Sequence, residues 1–209
     1  MAEPQKYPWK DNDLRPIQRV ITDHNGEGKS VFSSVIPEDL PGKIIGAPAP
    51  FRLGYCTNKT PVPLTNGSDI EAYARYLENP PGIVIPGMGN HRLLVCDLLT
   101  GDTTTGGTVA RYVDMPPGAT SPMHRTVSLD YGVVLEGEME VVLDSGESRL
   151  LKRGDLAVQR ATMHAWRNAS STEWARMLYF LQEAEPLEIV GTKLAEDYGG
   201  LTGVRKSKD

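Results

Sequence analysis

Pro117-Gly118-Ala119-Thr120-Ser121-Pro122-Met123-His124-Arg125-Thr126-Val127-Ser128-Leu129-Asp130-Tyr131-Gly132-Val133-Val134-Leu135-Glu136-Gly137-Glu138 decides how this chain is read. A Pro-Gly turn leads into a run with the pattern of a β-strand, which ends at a tight Glu-Gly-Glu turn. Strand side chains alternate between two faces. His124, Thr126, Ser128 and Asp130 therefore share one face, and Arg125, Val127 and Leu129 share the other. One face can bind or ionise, while its reverse is largely apolar.

A second stretch answers the first: Gly154-Asp155-Leu156-Ala157-Val158-Gln159-Arg160-Ala161-Thr162-Met163-His164-Ala165-Trp166-Arg167-Asn168. His164, Trp166 and Asn168 share a face by the same alternation. If both strands line one cavity, His124, Asp130 and His164 converge in it.

The size and composition of the chain narrow what can surround these strands. The 209 residues suffice for one well-packed domain, or one domain with an extension. Glycine (21) and proline (16) are plentiful and apolar runs are short, which favours many strands joined by turns over a helical bundle. The formal charge of −5 comes without a basic stripe, so no nucleic-acid partner is expected. No apolar run is long enough to span a bilayer, and the first six residues lack the hydrophobic core of a signal peptide. The expectation is a cytoplasmic protein with no membrane partner. Cys56 and Cys96 form no metal or redox spacing and read as buried thiols.

Along the chain, residues 1–15 read as a polar arm. Ile17–Thr22 and Ser30–Ile36 read as strands joined by a turn at His24–Gly28, and Phe51–Cys56 as another strand. Ser68 and Glu71 have the spacing of a capping box, opening a helix that Pro80 and Pro81 stop. A strand follows at His91–Leu99. From Thr108 strands recur quickly, at Val109–Asp114, Ser128–Leu135, Met139–Leu143, Ser148–Leu151, Leu156–Gln159 and Ala175–Leu181. Such spacing indicates a barrel or jelly roll. Leu187–Tyr198 reads as a short helix and 205–209 as a frayed tail. The expected organisation is an all-β fold. Residues 1–107 lay strands, loops and one helix on a barrel core at 108–185, and 186–209 form a helix and tail. The N-terminal strands are too few to bury a core alone. They are expected to cover the barrel edge and meet a second copy there, giving a homodimer.

Both quoted stretches resemble the paired motifs of the cupin superfamily. The usual first motif spaces Gly, His, a second His, Glu and Gly, and Gly118, His124, Thr126, Asp130 and Gly137 match that spacing. The usual second motif corresponds at Gly154, His164 and Asn168, with its turn one residue shorter and its Pro absent. The similarity covers Val109–Leu181. The wording around His124-Arg125-Thr126 and His164-Ala165-Trp166-Arg167-Asn168 is similar to small fungal cupin oxidoreductases of polyketide and secondary-metabolite pathways. The resemblance implies a double-stranded β-helix (jelly-roll) barrel. It departs from the family pattern at Thr126 and Asp130, which stand where a histidine and a glutamate are usual.

What remains is His124, His164 and Asp130. Two imidazoles and a carboxylate are a ligand set for iron(II) with open positions, or for zinc(II) with a bound water. The same residues without a metal make an acid/base pair. Met123 and Trp166 would shape an apolar wall. Thr126 and Ser128 could bond a bound water or ligand, and Arg111 or Arg160 could neutralise a phenolate or carboxylate. Duller roles compete for each: a backbone-carbonyl bond for His164, a pairing with Arg111 or Arg125 for Asp130, a place in the core for Trp166 and a surface ion pair for Arg160. The leading expectation is a metal-dependent oxidoreductase acting on a small aromatic or polyketide-like metabolite. A non-redox lyase or isomerase and a non-catalytic binding protein are the alternatives.

Overall fold

Turn-punctuated sequence becomes strand in the computed structural model, which describes residues 12–44, 49–79 and 106–200. In chain order the first strands are β1 Thr22–His24, β2 Ser30–Phe32, β3 Lys43–Ile44 and β4 Pro50–Cys56. The helix α1, Ser68–Glu78, comes next. Then follow β5 Thr108–Met115, β6 Ser128–Glu136, β7 Glu138–Leu143, β8 Ser148–Lys152 and β9 Leu156–Arg160. The last are β10 His164–Asn168, β11 Ala175–Glu183, β12 Glu188–Ile189 and β13 Thr192–Lys193.

Six strands form one antiparallel sheet in the order β3-β4-β5-β11-β6-β9, and β10-β7-β8 form a second. The sheets close on a core that takes Val113, Met115, Val134 and Met177 from the first and Met139 and Trp166 from the second. This is the all-β jelly roll expected from the strand pattern. The N-terminal β3 and β4 extend the barrel's own sheet. Helix α1 buries Ile70, Ala72 and Tyr73, and a second apolar cluster joins Ile70 and Tyr73 to Cys56, Val109 and Leu181.

The tight connection from β6 to β7, which carries the chain from one sheet to the other rather than pairing the two strands as a hairpin, needs its glycine. Gly137 has φ +73°, and a Cβ there would stand 2.9 Å from both the Ala175 Cβ and the Trp174 carbonyl oxygen. Neither the backbone angle nor the space suits another residue.

Three local expectations are corrected. Ser68 is not the N-cap of α1: Gly67, at φ +65°, takes that place, and the Ser68 hydroxyl donates backward to the Pro63 carbonyl at 2.6 Å. A tight turn at Thr65–Gly67 leads straight into the helix, so no extended cap residue precedes it. The helix expected over 187–198 is a hairpin of β12 and β13, because Val190 and Gly191 both take positive φ, the geometry of a tight two-residue turn. The first strand begins at Thr22 and includes His24, so the turn starts one residue later, at Asn25. The strand expected at 91–99, Cys96 and the tail lie outside the described residues. No helix among the described residues is long and apolar enough to cross a membrane.

The sheet also carries a buried ionic knot. Asp114 is fully buried on β5. Arg176 donates to it twice, Nε to Oδ1 at 2.6 Å and Nη2 to Oδ2 at 2.8 Å, and Arg52 donates a third time. Arg176 Nη1 continues to the Arg15 carbonyl at 2.6 Å, tying the N-terminal segment to the barrel. Removing one member of such a pair strands a buried charge. Asp114→Ala should cost about 3–5 kcal/mol in denaturant unfolding; a loss under about 1 kcal/mol would mean that the arginines reach water instead.

Candidate active site

The chain changes sheet just where the first motif lies. Residues 120–124 run antiparallel beside β10: Ser121 N–H donates to the Trp166 carbonyl at 2.8 Å, and Trp166 N–H to Ser121 Oγ at 2.9 Å. His124 and His164 then exchange both backbone hydrogen bonds, at 2.8 and 2.9 Å. From Ser128 the chain belongs to the six-stranded sheet. The run from His124 to Asp130 is therefore not one continuous strand. The histidine comes from the side of one sheet and the carboxylate from the other.

Directly opposed residues in an antiparallel pair point to the same face. The imidazoles of His124 and His164 accordingly lie together, with centroids 4.4 Å apart and planes tilted by 44°. They line a cavity of about 90 Å³ between the sheets. Phe51, Val113, Met115, Trp166 and Leu181 supply much of its apolar wall, and Arg111, Thr126, Asp130, Gln159 and Tyr179 are among its other polar groups.

Burial governs the ionisation of every group here. It lowers His124, against the pull of the Pro122 carbonyl, which bonds Nδ1 at 2.8 Å. It lowers His164 to about 4, helped by the neighbouring His124 and opposed by the Thr162 carbonyl. It raises Asp130 to about 6, opposed by hydrogen bonds from Ser128 and Thr126 and by the Arg111 charge. Arg111 is itself lowered to about 10 by burial. At neutral pH the two imidazoles are uncharged.

The structure sorts the sequence-derived candidates. His124, His164, Asp130, Thr126, Arg111 and Trp166 all line the cavity. Trp166 is both wall and core, edge-on to His164 at 6.0 Å and to Tyr179 at 5.5 Å. Ser128 stands behind the wall, donating to Thr126 Oγ1 at 2.7 Å, while Thr126 donates weakly to Asp130 Oδ2 at 3.4 Å. Met123 does not line the cavity, because it precedes His124 and neighbouring residues of an extended segment face opposite sides. Arg160 is also outside: it is exposed at the end of β9, one residue past the inward-facing Gln159. Sequence reasoning missed Gln159, Tyr179 and Phe51. Alternation along β9 and β11 would have placed the first two, since Gln159 opposes Asp130 and Tyr179 alternates with the buried Met177 and Leu181.

The iron(II) or zinc(II) ion expected from sequence asks for three protein donors. Among the described residues no three of His, Cys, Asp and Glu group so as to hold an ion. His124 and His164 make a pair, and Asp130, on the opposite sheet, does not complete it. This donor set does not fit a three-ligand centre.

Residues 111–180 match the cupin domain family model Cupin_2. The chain is also 50% identical to "Phomopsin biosynthesis cluster protein D" of Diaporthe leptostromiformis, over 92% of this chain and 89% of that protein. The chain belongs to the cupin-domain family. It is 40% identical to "Cupin-domain-containing oxidoreductase fogC" of Aspergillus ruber, over 90% of this chain and 86% of the relative. It is 39% identical to "Cupin-domain-containing oxidoreductase virC" of Hypocrea virens, over 84% and 80%. This kinship places the chain among the cupin-domain-containing oxidoreductases, with a biosynthesis-cluster protein of Diaporthe leptostromiformis also among its relatives. The cupin barrel commonly holds a metal ion; among the described residues of this cupin, His124 and His164 have no third ligand beside them.

The lowered His164 has a consequence for stability. Its folded pKa of about 4 lies below the ordinary 6.5, so unfolding lets it bind a proton between those values. Its contribution is complete above pH 6.5 and is lost as pH falls toward 4. Asp130 acts in the opposite sense: its contribution is complete below its ordinary 3.8 and is lost as pH rises through about 6. His164→Asn should therefore lose less stability, or gain more, than the wild type as pH falls from 6.5 to 4, seen as a changed difference between the denaturation midpoints at those two pH values. The same acid-side slope in the variant and the wild type would contradict the burial of this imidazole.

Proposed function

We propose that this cupin-domain oxidoreductase acts on a small aromatic or polyketide-like metabolite, with His124 and His164 as its proton-transfer pair. The observation that carries the reading is the meeting of two uncharged imidazoles at the polar end of an otherwise apolar cavity. Oxidising an organic molecule removes protons as well as electrons; dioxygen as the external acceptor would take two electrons and two protons to give hydrogen peroxide, and the imidazole pair is what this chain supplies to relay the protons. Phe51, Trp166 and Tyr179 suit a flat ligand. The cavity of about 90 Å³ is smaller than the roughly 150 Å³ space that holds benzene. A metabolite of polyketide size would place only one group against the histidines, with the rest at the mouth. Kinship with proteins of biosynthesis clusters supports a specialised metabolite as substrate.

A non-redox lyase or isomerase is the second reading. Proton transfer alone needs only an acid and a base, which the imidazole pair provides without a third ligand. Turnover under nitrogen without an electron acceptor separates it from the first. Self-association belongs to the proposal as well. Tyr131, Val158 and Phe180 are register partners whose exposed side chains form an apolar row on the outer sheet face. Sedimentation showing only monomer at micromolar concentration would remove it.

The His124→Ala, His164→Ala double variant should lose about 10²–10⁴-fold in kcat/KM. Activity of the wild type should survive prolonged chelation. Undiminished activity in the double variant would overturn the role of the pair. Loss on chelation that iron(II) or zinc(II) restores would show a metal-dependent enzyme.

A further inference from the structure

A second cavity, of about 620 Å³, lies between the N-terminal segment, β4 and the end of α1. Ile17, Ile36 and Leu40 of that segment supply apolar lining together with Phe51 and Leu53 of β4 and Leu77 of α1. Its volume falls in the range of roughly 300–1,000 Å³ that holds small-molecule ligands, which the histidine cavity does not reach. Phe51 and Arg111 line both cavities, and the Arg111 guanidinium stands 5.8 Å from the centroid of the Phe51 ring. The two spaces are therefore neighbours that share this pair as a wall.

Charge sets the larger cavity apart. Arg19, Lys43, Arg52, Arg111 and Arg176 line it, against one carboxylate, Asp39. Asp114 engages Arg52 and Arg176 together, one negative charge between two positive ones. Asp130 acts on Arg111 from the histidine side. Arg19 and Lys43 are held by neutral oxygens. Arg19 Nη1 donates to the Tyr73 hydroxyl at 2.5 Å and Nη2 to the Pro37 carbonyl, while its Nε is buried with no partner. Lys43 Nζ donates to the Leu77 carbonyl at 2.9 Å. Among the described residues neither forms an ion pair with a carboxylate.

We propose that this cavity binds the carboxylate end of an aromatic acid, with Arg19 and Lys43 as its anion-binding residues, while the rest of the ligand reaches past Phe51 to the imidazole pair. The inference rests on the metabolite reading above and adds a charge to that metabolite. A neutral ligand would leave the excess of cations unanswered, whereas a carboxylate takes charge-assisted hydrogen bonds from them. A doubly charged phosphate would have to shed more hydration to enter among the apolar side chains. Arg19 is already fixed by Tyr73 and Pro37, so little side-chain freedom is lost when the acid binds.

Calorimetric titration of the full chain with biphenyl-4-carboxylate and with biphenyl-4-carboxamide, at neutral pH and low salt, reads the charge preference without turnover. The acid should bind about tenfold more tightly than the amide. Arg19→Gln and Lys43→Gln should each remove most of that preference. Lys43 is exposed, so its variant decides the matter even where Arg19→Gln fails to fold. Equal binding of acid and amide, or a preference that neither variant moves, would overturn the proposal. Inorganic phosphate should displace the acid no better than chloride of equal ionic strength; stronger displacement would overturn the carboxylate assignment. The His124→Ala, His164→Ala double variant should keep the acid preference. An active histidine pair with no such preference, or the preference with an idle pair, separates failure of this site from failure of the catalytic reading.

Discussion

Two backbone hydrogen bonds, exchanged between His124 and His164, hold the site together. They fasten the segment before β6 to β10 and so bring residues forty apart in sequence into ring contact. In water two imidazoles gain little from such a meeting. Inside a closed barrel their proximity and their burial both resist protonation, so the pair stays neutral and can exchange protons at neutral pH.

The barrel supplies the conditions for that contact. Gly137 turns the chain from one sheet to the other where a side chain would not fit. Asn168, at the end of β10, spans Met115, Pro116 and Glu173 through its amide nitrogen and accepts from Ser170 N–H, fixing the strand that carries His164. Met139, Met177 and Trp166 belong to the buried apolar cluster between the sheets, and Trp166 carries it up to His164. Both imidazoles are thus held by backbone carbonyls, those of Pro122 and Thr162, the preorganisation that proton-transfer sites require.

Much of this was legible in the sequence because it follows from short-range rules. Strand alternation and turn residues marked β4 to β11, and motif spacing singled out His124, His164 and Asp130. The limits were equally physical. Alternation assumes a continuous strand, and the chain changes sheet between His124 and Ser128, so placing His124 and Asp130 on one strand face was incorrect although both line the cavity. Met123 and Arg160 were drawn toward the site by their nearness in sequence to it, whereas neighbours in a strand point apart. Gln159 carried no motif signal at all. Its importance lies in a contact with His164 Nδ1 that depends on where the Thr162 turn places the ring.

The account depends on His164 being buried and on its sensing the half-buried His124 beside it. Proton NMR titration of the histidine ring signals tests this most directly. It should find both His124 and His164 below the ordinary value, His164 near 4, and His164 rising when His124 is replaced by asparagine. An ordinary titration of His164, indifferent to that replacement, would show that the rings do not share a buried site.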